Sequence, residues 1–227
     1  MALTITIINC YCGDVSLAPP IATLSAGRID RAGRSILHDV GLTIPASSLT
    51  VVTGANGSGK STLLLALAGL HPLSNGTLTI ADGARRALVL QRSAVTDALP
   101  LTVANVVAMG RWFPSRQRDR RRDCLIIAES VSAVGLRGLE KASLSTLSGG
   151  QRQRALLAQG LAQRAEILLL DEPAASLDQD GNALLARCIE RERARGVAVV
   201  LVTHDPVDGL NATQRLHVSA GHVARVA

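Results

Sequence analysis

Residues 54–62 read "GANGSGKST" and follow the apolar run "LTVVT" of residues 49–53. The stretch fits the pattern GxxxxGK[ST], and it sits where that pattern has physical meaning. An apolar strand leads in, and "SGKSTLLLALAGL" opens a helix that stops at Gly69, ahead of Pro72. The glycines permit bent dihedrals and close backbone approach, so successive amides can face the oxygens of a phosphate chain. The free N–H groups and positive dipole end of the new helix reinforce that field. Gly54, Asn56, Gly57, Ser58, Gly59, Lys60, Ser61 and Thr62 are the expected phosphate binders. Lys60 is expected to neutralise the β- and γ-phosphates and Ser61 to ligate Mg²⁺. Lys60 and Lys141 are the only lysines among 24 basic residues, so a lysine here is no accident of composition.

Further along, "ILLLDEP" (167–173) is an apolar strand ending in two carboxylates. At a strand's C-terminal edge beside the glycine-rich loop, Asp171 can hold Mg²⁺ and Glu172 can polarise an attacking water as general base. "VAVVLVTHD" (197–205) brings His204 to the end of another buried strand, where it can reach a terminal phosphate and orient the water of Glu172. Fully apolar strands alternating with a helical stretch at 182–195 predict a mainly parallel α/β sheet. "ILHDVGLTIPASSLTVVTG" reads as strands entering a turn, "GTLTI" and "RALVLQ" as two more short strands and "RLHVSAGHVARV" as a closing hairpin, so an antiparallel β part is expected beside the parallel sheet. Between about 95 and 162 the pattern turns helical, which predicts a helical subdomain inserted into the α/β core.

"LSGGQRQRALLAQGLAQ" (147–163) places a serine and two glycines directly before a helix. That is a second anion-binding helix start, and one triphosphate already wrapped by the first loop cannot fill both. It makes sense if it caps the nucleotide held by another copy. From here the chain resembles the ATP-binding subunit of ABC transporters, P-loop NTPases of α/β fold. The resemblance runs over residues 22–227 and rests on the order "GANGSGKST", Gln91, "LSGGQ", "ILLLDEP", "SLD" (176–178) and His204. It implies ATP with Mg²⁺, bound in a head-to-tail homodimer between one Lys60 loop and the partner copy's Ser148, Gly149, Gly150 and Gln151. It further implies that Gln91 bridges Mg²⁺ and the attacking water, beside Ser61 and Asp171, and that Asp178 communicates across the interface. With Glu172 intact, the chain is expected to hydrolyse ATP.

The segment "QRSAVTDALPLTVANVVAMGRW" (91–112) resembles the zinc/manganese importer subgroup, with Leu99 where that subgroup often has Phe before Pro100. The resemblance implies a groove here that receives a separate multi-spanning permease, with Val95, Leu99, Trp112 and Phe113 as contacts. It places the protein at the cytoplasmic face of the membrane, peripherally, served indirectly by an extracytoplasmic metal-binding protein. The transported ion, zinc before manganese, is expected to touch no residue of this chain. Iron-chelate and cobalamin importers and soluble ABC ATPases stand as alternatives. Two stretches depart from the family pattern. "SAGRIDRAGRSIL" (25–37) lacks the aromatic that usually stacks on adenine, which leaves Arg28, Arg31 or Arg34 for that task. "PASSL" (45–49) replaces a Gly-Glu turn.

Composition narrows the rest. The 227 residues are 47% hydrophobic, enough for a sizeable core, yet no apolar run approaches the ~18 residues that span a bilayer. Residues 1–21 read as an extension of unknown role without the basic start of a signal peptide. Cys10 and Cys12 are spaced C-x-C, unlike the paired CxxC of zinc frameworks. The net charge of +6 invites anionic partners. With Tyr11, Trp112 and Phe113 as the whole aromatic content, no base-stacking platform exists, and no nucleic-acid partner is expected. The run "RQRDRRRD" (116–123) reads as a solvated helix face.

Overall fold

Every residue of "ILLLD" (167–171) and "AVVLV" (198–202) is buried, as strands covered on both faces must be. The computed structural model describes residues 20–31, 33–90, 100–112, 119–204 and 210–226. In chain order these form β1 (Pro20–Arg31), β2 (Arg34–Pro45), β3 (Leu49–Thr53), α1 (Lys60–Ala68), β4 (Asn75–Ile80) and β5 (Arg86–Val89). Then come α2 (Val103–Met109), α3 (Arg120–Ala133), α4 (Gly149–Ala162), β6 (Ile167–Asp171), α5 (Gln179–Ala194), β7 (Ala198–Val202), β8 (Gln214–Ser219) and β9 (His222–Val226).

A six-stranded sheet has the order β5-β6-β7-β3-β8-β9, parallel except for β9, which closes the expected hairpin with β8. A three-stranded antiparallel sheet, β2-β1-β4, lies apart from it. Side chains alternate between strand faces, and here the two faces feed two cores. Ile167, Leu169, Val200 and Val202 join α1 and the antiparallel sheet, whereas Leu168, Leu170, Val199 and Leu201 join the helices.

Helix α1 carries "LLLALA" with Leu63, Leu64, Ala66 and Leu67 all buried. A helix apolar on nearly every side belongs between two layers, and α1 packs against both β6 and β1. It ends at Gly69 in the left-handed region, whose N–H bonds back to the Ala66 and Leu65 carbonyls.

Helices α2, α3 and α4 pack on one another within the expected helical stretch. This helical subdomain packs its apolar faces onto the sheet. Val103, Val106 and Val107 of α2 share one continuous apolar cluster with Val131 of α3, Leu157 of α4 and the sheet residues Val199 and Leu201. The three valines, spaced to share one face of α2, are therefore core residues. Arg111 pins the end of α2, with Nε donating to Asp123 Oδ1 of α3 at 2.7 Å and Nη1 to the Ala162 carbonyl of α4 at 2.9 Å. Among the described residues no helix is long and apolar enough to cross a membrane.

Candidate active site

Parallel strands deliver their C-terminal ends to one edge of a sheet, and three loops meet there. The loop after β3 begins at Gly54, where a Cβ would stand 2.3 Å from the Val218 carbonyl oxygen of β8. Only glycine fits that approach. Across residues 54–59 the backbone turns through Gly57 and Gly59, and α1 starts without any side-chain cap on its N-terminal amides. Those amides are the donors an anion would use.

Lys60 is buried, and its Nζ donates to the Gly54 carbonyl at 2.8 Å and the Ala55 carbonyl at 2.9 Å. The loop thus holds its own cation over the space it encloses. The Ser58 hydroxyl is buried and has no hydrogen-bond partner among the described residues. A buried hydroxyl left so beside the uncapped start of α1 suits an acceptor supplied from outside, and a phosphate oxygen meets that need.

At the end of β6, Asp171 Oδ1 accepts the Ser61 hydroxyl at 3.2 Å. A carboxylate and a hydroxyl oxygen side by side form the hard donor pair that Mg²⁺ takes. Burial pushes the Asp171 carboxyl above the ordinary aspartate range, with the neighbouring Glu172 charge adding to the rise; the Ser61 hydroxyl and Lys60 oppose it.

The raised value has a consequence for stability. Between the unfolded pKa and the higher folded one, the folded state binds the extra proton, so stability falls as pH rises through that window. Above it the protein carries a buried, ionised carboxylate at a cost. Asp171→Asn is therefore expected to raise the melting temperature of the nucleotide-free protein at pH 7. The advantage should shrink as pH is lowered toward the ordinary aspartate range. Thermal melts across pH check this; a lower melting temperature for the variant at pH 7 would refute it.

Glu172 is held in the left-handed region at φ 45°, rare for a residue with a side chain and of order 1–3 kcal/mol in strain. Its N–H donates to the Val202 carbonyl of β7 at 2.9 Å, and its Oε2 lies 3.2 Å from His204 Nδ1. A carboxylate and an imidazole are thereby paired beside the glycine-rich loop, Glu172 mostly enclosed and His204 half exposed.

A family model described as ABC transporter matches residues 37–175. The chain belongs to the ABC transporter family. It is 36% identical over 197 residues to the zinc import ATP-binding protein ZnuC of Ruegeria pomeroyi, covering 86% of this chain and 73% of that one. It is 37% identical over 178 residues to the manganese transport system ATP-binding protein MntB of Listeria monocytogenes, covering 74% of each. Among solved structures, a metal-chelate type ABC transporter in an inward-facing conformation superposes with a TM-score of 0.80 at 23% identity. That match covers 92% of this chain and 83% of the other, and it shows the shared ABC fold.

Other segments expected from ABC sequences fall at defined places. Ser148 caps α4 in a reciprocal box: Gln151 N–H donates to Ser148 Oγ at 3.2 Å, and Ser148 N–H donates to Gln151 Oε1 at 3.0 Å. A Cβ on Gly150 would stand 3.0 Å from the Ser176 carbonyl, so the start of α4 abuts the "SLD" loop. Asp178 caps α5 by accepting Gly181 N–H at 2.8 Å. Ser148, Gly149, Gly150 and Gln151 thus lie together at the start of α4 beside Ser176, with Asp178 two residues farther along the chain.

Gln91, Val95, Leu99 and Phe113 lie outside the described residues. Trp112 follows the pinned end of α2 and is 68% exposed. Arg31 and Arg34 pair across the tip of the β1–β2 hairpin, while Arg28 is held by Asp30 at 3.0 Å. The changed turn at 45–49 is closed by Ser48 Oγ donating to the Pro45 carbonyl at 2.6 Å. Sequence reading missed Val218: its carbonyl walls the phosphate loop from the far end of the chain, and a backbone contact leaves no residue-type signal.

Proposed function

We propose that this chain is the ATP-hydrolysing subunit of an importer that moves a divalent metal ion, zinc in preference to manganese, through a separate membrane permease. The observation that carries the reading is the set of relatives. Proteins named for zinc import and manganese transport match at 36–37% identity over about three quarters or more of both chains.

The roles proposed for the residues rest on their chemistry and, where they are described, on their places in the fold. Lys60, Ser58, Thr62 and the amides from Asn56 to Ser61 grip the phosphate chain, with Gly54 and Gly59 keeping the backbone close. Ser61, Asp171 and Gln91 hold Mg²⁺, which neutralises charge developing on the phosphate oxygens. Glu172 takes the proton of the attacking water as general base. His204, 3.2 Å from that carboxylate, keeps it turned toward the water and reaches the terminal phosphate. Arg31 and Arg34, exposed at the hairpin tip, cover the adenine in place of an aromatic ring.

Two copies are assigned to one working unit. The capped α4 start of one copy closes the nucleotide gripped by the other, and Asp178 relays its state through the adjoining Ser176 backbone. Ser148→Arg is expected to abolish hydrolysis while leaving ATP affinity of the monomer within about threefold, because the substitution spoils only the closing face. Steady-state turnover and equilibrium binding on the same sample check it, and hydrolysis at the wild-type rate would refute the two-copy site.

Val95, Leu99, Trp112 and Phe113 are assigned to the permease contact, with Trp112 as an aromatic anchor at an interface. The chain then sits on the cytoplasmic face of the membrane, peripherally, and meets an extracytoplasmic metal-binding protein only through the permease. The experiment for this assembly is affinity purification from detergent-solubilised membranes. Recovery of a multi-spanning partner supports the importer; recovery with only soluble complexes overturns it in favour of a non-transport ATPase.

A further inference from the structure

Beside the glycine-rich loop, where Leu37 lies against Gly59, two of the five histidines meet as β2 passes the β8–β9 hairpin. The rings of His38 and His222 lie 5.6 Å apart between centroids, tilted by 44°. Two imidazoles on one tetrahedral zinc ion, with Zn–N near 2.0–2.1 Å, have centroids about 5 Å apart. The observed spacing is within about 1 Å of that value.

The surroundings prepare His38 for that role. Its Nδ1 is 2.9 Å from Ser35 Oγ. Ser35 lies opposite Asp30 in the β1–β2 pairing. A hydroxyl lone pair takes an imidazole N–H, and Ser35 Oγ is placed to take that of His38 Nδ1. That leaves the His38 Nε2 with a free lone pair, the arrangement in which a second residue fixes the tautomer of a ligating histidine.

The hairpin is shaped around this ring. Ala220 and Gly221 both have positive φ, 48° and 80°, which marks a tight two-residue turn of the kind that sets register firmly. A Cβ on Gly221 would stand 2.4 Å from His38 Cδ2 and 2.9 Å from Nε2. The ligating edge of His38 therefore faces the turn that presents His222. The His38 N–H donates to the Gly221 carbonyl at 2.8 Å, fixing the two backbones together.

We infer that His38 and His222 form a binding site for a divalent late transition-metal ion of the Zn²⁺ class, completed by water. Among the described residues no three histidine, cysteine or carboxylate groups converge on one point. Two protein ligands make the site exchangeable, in contrast to the four-ligand sites that hold a fold together. The inference stands apart from the importer reading, since it concerns an ion bound by this chain and not the ion transported.

The test uses the full chain without nucleotide and with Cys10, Cys12 and Cys124 replaced by Ser, so that their thiols do not compete for the ion. Zn²⁺ is titrated against a chromophoric chelator, and the melting temperature without zinc is recorded for each variant to establish folding. His222→Ala and His38→Ala should each remove the site. Ser35→Ala, which frees the tautomer, should weaken it about tenfold. His204→Ala should leave it unchanged. Retention of wild-type zinc affinity in folded His222→Ala protein overturns the inference, as does its loss in His204→Ala alone.

Discussion

Glu172→Gln is expected to lower ATP hydrolysis by about 10²–10⁴-fold, the span that a positioned general base supplies. The substitution keeps the shape of the side chain and an oxygen within reach of His204 Nδ1, now 3.2 Å from Glu172 Oε2. It removes the capacity to take a proton. The backbone around it should hold, because the N–H bond to the Val202 carbonyl and the left-handed φ do not depend on the charge. Binding should survive, and with hydrolysis stalled the two copies should stay closed around ATP. Gel filtration with ATP and Mg²⁺ should then give a dimer that reverts to monomer when nucleotide is withdrawn. A monomer under those conditions would count against the paired site, and undiminished turnover would remove Glu172 from the chemistry.

Lys60→Ala acts one step earlier and should abolish useful nucleotide binding. The ammonium is buried and held over the loop by the Gly54 and Ala55 carbonyls. Truncating a buried, hydrogen-bonded charge at a binding site costs about 2–5 kcal/mol, or about 30-fold to several thousand-fold in affinity. Equilibrium binding of ATP measures it directly, with a thermal melt to establish that the variant folds. Affinity within about threefold of the wild type would contradict the role given to Lys60.

Much of this was legible in the sequence because the responsible forces are local or periodic. "ILLLD" and "AVVLV" are apolar at nearly every position, and only a strand covered on both faces tolerates that, so the parallel sheet could be read directly. The glycine-rich loop and the capped start at Ser148 are equally local: special dihedrals and helix ends demand particular residue types in a fixed order. Other features depend on contacts distant in sequence. Nothing in residues 54–62 says that the Val218 carbonyl walls the loop. Nothing near Arg111 says that its guanidinium reaches both Asp123 and Ala162. The valines of α2 illustrate the converse: their spacing fits a docking face as well as a core, and only packing against Val131, Leu157 and Leu201 decides between them. The positive φ of Glu172 was invisible too, because the chain adopts it for the geometry of the strand end and not from any preference of glutamate.

Whether this ATPase drives entry of zinc or manganese is read from the elemental content of cells. Zinc and manganese content would be measured in a strain lacking the gene, in one restored with the wild-type chain and in one restored with Glu172→Gln. Zinc, or failing that manganese, should accumulate only in the wild-type-restored strain when the medium is poor in metal. Equal content of both metals in all three strains would contradict it.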